Sequence, residues 1–187
     1  MTPTDWTRPD YLLQGNQRQR AAYQALLDLR LFGALAEYDP LLAGTIPLGI
    51  DLPESDLDII CYAPDLETFA DAVQQHFRLY TGFCLHRKSI RCSLVVIARF
   101  VTHGFPIEIF GQAVASIRQY AFRHLLIEHR LLAAGGEGFR QKVIELKRQG
   151  MKTEPAFARL LGLKGDPYER ILEVEGWGEE KVKSQNT

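Results

Sequence analysis

Two aspartates, Asp56 and Asp58, stand two residues apart in the stretch Gly44-Thr45-Ile46-Pro47-Leu48-Gly49-Ile50-Asp51-Leu52-Pro53-Glu54-Ser55-Asp56-Leu57-Asp58-Ile59-Ile60. In a strand, residues two apart share a face. The spacing therefore projects both carboxylates to one side, while Leu57, Ile59 and Cys61 pack on the other. Parallel carboxylates repel unless a cation lies between them, and hard oxygen donors suit Mg²⁺ with phosphate oxygens completing its shell. Just upstream, Gly44 and Thr45 form a small-residue turn. Its backbone N–H groups can meet those phosphates, and the threonine hydroxyl keeps a further contact available. An Asp-x-Asp by itself is most often a solvated strand face. The weight here comes from the coincidence of the spacing, the apolar opposite face and the Gly-Thr turn.

This arrangement resembles the nucleotidyltransferase superfamily, the polymerase-beta-like fold. The family motif is a Gly-Ser pair, roughly ten residues, then Asp-hydrophobic-Asp or Asp-hydrophobic-Glu. Here Gly44-Thr45 is followed by residues 46–55 and then Asp56-Leu57-Asp58-Ile59. The resemblance implies a third carboxylate on a later strand, and Glu108 in Phe105-Pro106-Ile107-Glu108-Ile109-Phe110 takes that place, facing away from its two isoleucine neighbours. The chain departs from the pattern in having Glu where Asp is more frequent, and a Pro-rich loop where many members carry a helix. A narrower resemblance rests on GTIPLGIDLPESDLDII, on Lys152-Thr153-Glu154-Pro155-Ala156-Phe157 and on Gly165-Asp166-Pro167-Tyr168-Glu169. It is to a small bacterial family of uncharacterised nucleotidyltransferase-like proteins and covers nearly the whole chain.

The resemblance implies two-metal nucleotidyl transfer with Mg²⁺, or Mn²⁺ in its place. Asp56, Asp58 and Glu108 are then the catalytic and metal-holding residues, and an NTP is the donor. Gly44, Thr45 and Ser55 are the expected nucleotide contacts nearest the acids. Arg87 and Lys88, with Arg91, make the densest basic cluster of the sheet region, and Lys152 lies at an expected helix N-terminus; these join the nucleotide-binding set. Arg18 and Arg20 on the first helix are similar candidates. Each has a plainer role: a turn for Gly44-Thr45, a solvated tip for the basic cluster, a Thr153 cap beside Lys152. Asp51 and Glu54 read as solvated loop acids. His124 and Glu128, four apart, read as a surface pair on a helix, and His103 as a loop histidine.

The elements that must position these groups follow from periodicity and punctuation. Asn16 caps a first helix through Tyr23, Leu26, Leu27 and Arg30, with continuation towards Ala36, and Asp39-Pro40 ends it. Leu41 to Ile46 reads as a strand and Asp56 to Tyr62 as a second, with Pro47, Gly49 and Pro53 keeping the connection a loop. Pro64 opens a helix whose apolar face is Leu66, Phe69, Ala70 and Val73. Strands follow at Phe77–His86, Ile90–Phe100 and Phe105–Phe110, with turns at Arg87-Lys88-Ser89 and Thr102-His103-Gly104. Val114, Ile117, Ala121 and Leu125 line a helix stopping near Gly135-Gly136, and Phe139, Val143 and Leu146 line the next. Thr153 and Asp166 read as caps of two short helices, with Pro167 at the first helical position and Glu169 closing a capping box.

The expected fold is therefore α/β (α+β), a mixed β-sheet with helices on one face and a helical C-terminal half. The expected division is 1–111 for the nucleotidyltransferase-like core and 112–187 for the helical region packed on it, with the last ten or so residues frayed.

Composition narrows the function. With 187 residues and 46% hydrophobic residues the chain can bury a real core. A net charge of −1 provides no global field towards nucleic acid or anionic membranes, so a small molecule or a protein is favoured over nucleic acid as acceptor. No apolar run is long enough to span a bilayer, and the polar start from Met1 to Asp10 does not read as a secretory signal. Cys61, Cys84 and Cys92, an odd set without a C-x-x-C pair, fit a reducing cytoplasm and read as small core residues on strands. The function expected is Mg²⁺-dependent transfer of a nucleoside monophosphate from an NTP to a hydroxyl or phosphate acceptor. The alternative is a non-catalytic nucleotide-binding or protein-interaction module that retains the fold.

Overall fold

Alternating apolar residues and two tight turns build a five-stranded mixed sheet in the computed structural model, which describes residues 4–177 and 180–182. The strands are β1 (Leu41–Ala43), β2 (Leu57–Tyr62), β3 (Thr81–Ile90), β4 (Ser93–Thr102) and β5 (Phe105–Gln112), in the spatial order β1-β2-β5-β4-β3. β2 and β5 run parallel; the other neighbours are antiparallel. A parallel pair needs a crossover, supplied here by α3 (Leu66–Phe77) and the β3–β4 hairpin.

The chain divides into two compact units, Met1–Gly49 with Glu54–Phe122 and Ile50–Pro53 with Arg123–Thr187. In the first, one face of the sheet carries Leu57, Ile59, Cys61, Ile107, Ile109, Val96, Ala98 and Phe100. They are buried together with Ala22, Ala25 and Leu26 of α1 (Gln17–Asp28) and Phe69, Val73 and Phe77 of α3. Phe77 stacks on Phe100 at a centroid distance of 5.3 Å. The ring of Phe69 lies where a side chain on Gly111 would be, 2.2 Å from the position of its Cβ, so α3 packs directly on the backbone of β5.

In the second unit, α4 (Tyr120–Arg148, beginning within the first unit) breaks at Gly136, whose φ of 69° and ψ of −168° are not helical. Beyond the break, Phe139 and Val143 are buried, and Phe139 meets Phe157 of α5 (Thr153–Leu160) edge-on. α6 (Pro167–Glu173) is capped by Asp166, which accepts from the Tyr168 N–H at 3.0 Å.

Several expected boundaries move. Asn16 does cap α1, in a full capping box with Gln19, but the helix ends at Asp28 because Arg30 turns left-handed (φ 49°); a four-residue α2 (Leu31–Ala34) follows. β1 ends at Ala43, since Gly44 adopts φ +78° and leaves the sheet. Asp65, not Pro64, starts α3, accepting from the Glu67 and Thr68 N–H groups. The turn expected at Arg87-Lys88-Ser89 lies instead at Arg91-Cys92 (φ 50° and 63°), and that expected at 102–104 is the two residues His103-Gly104 (φ 50° and 77°). Both are two-residue hairpin turns with positive φ, which match strand twist. Val114 and Ile117 are exposed and precede α4. Lys152, not Thr153, is the N-cap of α5. Cys61 is buried, whereas Cys92 is exposed at its turn and so is no core residue. No helix among the described residues is long and apolar enough to cross a membrane. The fraying expected at the C-terminus falls largely on residues outside those described.

Candidate functional site

The carboxylates meet through strand register. Asp58 is the direct partner of Glu108 across the parallel β2–β5 pair, and Ala43 is the partner of Asp58 across β1–β2. Partners on neighbouring strands, about 4.8 Å apart, share a face. Asp58 and Glu108 therefore project from the same side, opposite the face buried against α1 and α3. Asp56 stands two residues earlier, just before β2 begins, and is half-buried.

Gly44 holds the aspartate from the other flank. A Cβ on Gly44 would stand 1.9 Å from Asp58 Oδ2 and 2.9 Å from its Cγ. Only a residue without a side chain leaves room for that carboxylate, and the positive φ independently favours glycine. After Gly44 the loop folds into two overlapping turns, Leu48 N–H donating to Thr45 O and Gly49 N–H to Ile46 O. Thr45 and Ser55, at the two ends of the loop, come together, their hydroxyl oxygens 3.4 Å apart.

α1 clamps this loop. Gln19 Nε2 donates to the carbonyls of Ile46 and Pro47, both at 2.9 Å, and an Arg18 guanidinium nitrogen donates to Ser55 O at 3.2 Å. Arg18 also lies over the Phe105 ring, 4.9 Å from its centroid. Arg18 thus fixes the residue immediately before Asp56. Arg20 bonds the Gly15 carbonyl.

Glu108 has a partner that the sequence reading missed. Arg99 on β4 is its register partner, and the guanidinium donates to Glu108 Oε2 through Nε at 2.8 Å and through a second nitrogen. The signal was available: a two-residue turn at His103-Gly104 mirrors Arg99 onto Glu108, whereas a three-residue turn does not. Gln19 was missed as well, since no pattern on a helix reveals a bond to a distant loop carbonyl.

Arg87 and Lys88, the candidates on β3, are not brought to the acids. Arg87 lies on β3, in register with Val96 of the α3 face, and forks onto Glu67 of α3. That pairing holds the Glu67 carboxyl below its usual range. Lys88 is exposed on the same edge strand, which β5 and β4 separate from β2. Lys152 is exposed at the start of α5 in the second unit.

The second unit contains a buried polar group of its own. His124 and Glu128 form no surface pair: both are 4% exposed. His124 lies 3.3 Å from Glu154 Oε1 through Nδ1 and 2.8 Å from Tyr168 O through Nε2. Lys147, in the last turn of α4, is buried and donates to Ile50 O at 2.7 Å. Burial pushes the Glu128 carboxyl well above its ordinary range, the Glu154 charge adds to this, and Lys147 opposes it.

The chemistry of the donor set fits a hard divalent cation: Asp56, Asp58 and Glu108 present only carboxylate oxygens, as Mg²⁺ prefers. Among the described residues, no three His, Cys, Asp or Glu side chains are gathered as ligands, and Glu108 is engaged by Arg99 instead.

Residues 24–174 match the family described as a domain of unknown function, DUF4269. The chain belongs to that family. No curated protein matches it. Among solved structures, it is similar to the RNA terminal uridylyl transferase Cid1, with a TM-score of 0.52 at 13% identity over 89% of this chain and 53% of that one. The Cid1 poly(U) polymerase with Mg 3′-dATP bound gives 0.52 at 14% identity over 89% and 53%. The polymerase core of TRAMP, an RNA surveillance complex, gives 0.51 at 18% over 86% and 50%. The chain thus spans about half the length of these structures. At such identities the likeness is one of fold: the mixed sheet and helices of this family member are nucleotidyltransferase-like.

Proposed function

We propose that the chain transfers a nucleoside monophosphate from an NTP to a hydroxyl or phosphate acceptor, with Mg²⁺ as its metal. The observation that carries this reading is the register of β2 and β5, which pairs Asp58 with Glu108 beside a glycine turn that leaves space only for the aspartate. Asp56, Asp58 and Glu108 would hold the metal. When bound, Mg²⁺ supplies positive charge to the triphosphate and lowers the pKa of an attacking hydroxyl. The protein's own part is positioning. The Gly44-Thr45 turn offers N–H groups and a hydroxyl to phosphate oxygens. Ser55, held by Arg18 and next to the Thr45 hydroxyl, fixes the entry of the chain to Asp56. The near-neutral net charge favours a small molecule or a protein as acceptor; an RNA end, as the RNA-directed solved neighbours use, is the competing acceptor to assay.

A second reading is a nucleotide-binding module without turnover. The Arg99–Glu108 pair favours it, because the third carboxylate already has a partner within the protein. The experiment is a thermal shift with each NTP, with and without Mg²⁺ or Mn²⁺, on wild type and on the Asp56→Ala/Asp58→Ala double variant, together with a pyrophosphate-release assay. A metal-dependent shift seen only in wild type, with pyrophosphate release, supports the transferase. A shift with no release under any acceptor supports the module. No shift with any nucleotide or metal overturns both.

A further inference from the structure

We infer that Arg99 is an exchangeable counter-ion, pairing with Glu108 while the site is empty and with the triphosphate of a bound NTP once a divalent cation takes Glu108. The inference rests on the proposed site at Asp56, Asp58 and Glu108 and adds a substrate-contacting residue to it.

Three observations carry it. Asp58 and Glu108 are register partners on parallel strands, so two carboxylates stand side by side. Arg99 is the register partner of Glu108 on the other side, so the row across the sheet reads Asp58, Glu108, Arg99. The guanidinium lies along Glu108 with two nitrogens on the same oxygen, Oε2. A cation in this place neutralises the acid that a metal would otherwise neutralise.

The contact is also of a kind that can be released. The Arg99 side chain is 48% exposed and that of Glu108 is 20% exposed, so water replaces either partner at little cost. Arginine's fork matches phosphate oxygens as well as carboxylate oxygens. Arg99 projects from the acid-bearing face of β4, whereas Arg87 projects from the other face and is engaged by Glu67. Displaced from Glu108, the guanidinium stays tethered one strand away from Glu108 and two from Asp58, on the face where phosphates bridged to a Glu108-held cation would lie.

The exchange predicts opposite signs for two affinities. Without nucleotide, Arg99 competes with the metal for Glu108, so Arg99→Gln binds Mn²⁺ about 3- to 10-fold tighter than wild type. With a non-hydrolysable NTP, the phosphate contact is missing, so Arg99→Gln binds the Mn²⁺–NTP about 5-fold or more weaker. Arg99→Lys keeps the charge without the fork and falls between wild type and Arg99→Gln on both measures. Mn²⁺ binding is read by electron paramagnetic resonance and nucleotide binding by calorimetry, on the full chain, with circular dichroism confirming that each variant is folded. A simple structural ion pair moves neither affinity, and a general effect of positive potential tightens metal and weakens nucleotide in Arg99→Gln but leaves Arg99→Lys equal to wild type on both measures. Either result overturns the exchange while leaving the metal site standing. If wild type binds neither Mn²⁺ nor Mn²⁺–NTP, the proposed function falls, and the role of Arg99 falls with it.

Discussion

Replacing Gly44 by alanine tests whether the turn is built around Asp58. Gly44 and Gly104 have almost the same left-handed backbone, φ +78° and +77°. A Cβ on Gly104 meets no heavy atom within 4 Å, while one on Gly44 stands 1.9 Å from Asp58 Oδ2 and 3.3 Å from Asp58 Cβ. Gly104→Ala therefore measures backbone strain alone, about 1–2 kcal/mol for an alanine in this conformation. Gly44→Ala adds the displacement of Asp58, about 1–3 kcal/mol by analogy with an overfilled site, for about 2–5 kcal/mol in all. Urea unfolding of both variants reads the difference. Asp58→Ala in the Gly44→Ala background should recover the added part, giving a coupling of at least about 1 kcal/mol in the double-mutant cycle. Any Mg²⁺-dependent NTP shift should vanish in Gly44→Ala and persist in Gly104→Ala. Equal costs for the two glycine variants, or no coupling to Asp58, would refute the argument that this glycine exists to seat the aspartate.

Other perturbations probe the same structure. Asp58→Asn removes one of two side-by-side carboxylates and should raise stability by about 0.2–1 kcal/mol while abolishing a metal-dependent NTP shift; a destabilised variant would contradict the repulsion. Glu128 keeps its proton in the folded chain above pH 4.5, where the unfolded chain has released it, so the fold loses stability as pH rises from there towards the elevated folded value. Glu128→Gln should therefore gain on wild type as pH rises, by up to about 1.4 kcal/mol per pH unit, in urea unfolding at pH 5 and pH 8; a pH-independent difference would show that Glu128 is ionised when folded. Lys147→Met removes the donor to Ile50 O and should cost about 1–3 kcal/mol. Unchanged stability would mean that the buried ammonium contributes nothing at that carbonyl.

What the sequence determined by itself was local. The period-two geometry of a strand sets Asp58 on one side of β2 and Leu57, Ile59 and Cys61, all buried, on the other, while Asp56 stands just before the strand. Asn16 and Asp166 cap helices because a short polar side chain reaches its own following N–H groups. The Pro-rich connection stays a loop, and Gly135-Gly136 does interrupt a helix. Boundaries slipped where one backbone conformation decides them: a left-handed Arg30, or a positive φ at Arg91 and Cys92, leaves little trace in residue type. Only tertiary structure decided which side chains face each other. The strand register that links Asp58 to Glu108 and Glu108 to Arg99 depends on turn length and on a crossover between strands separated by some fifty residues. Burial likewise turned His124 and Glu128 from an apparent surface pair into a buried group, because a helical spacing of four defines a face and the rest of the fold decides what covers it.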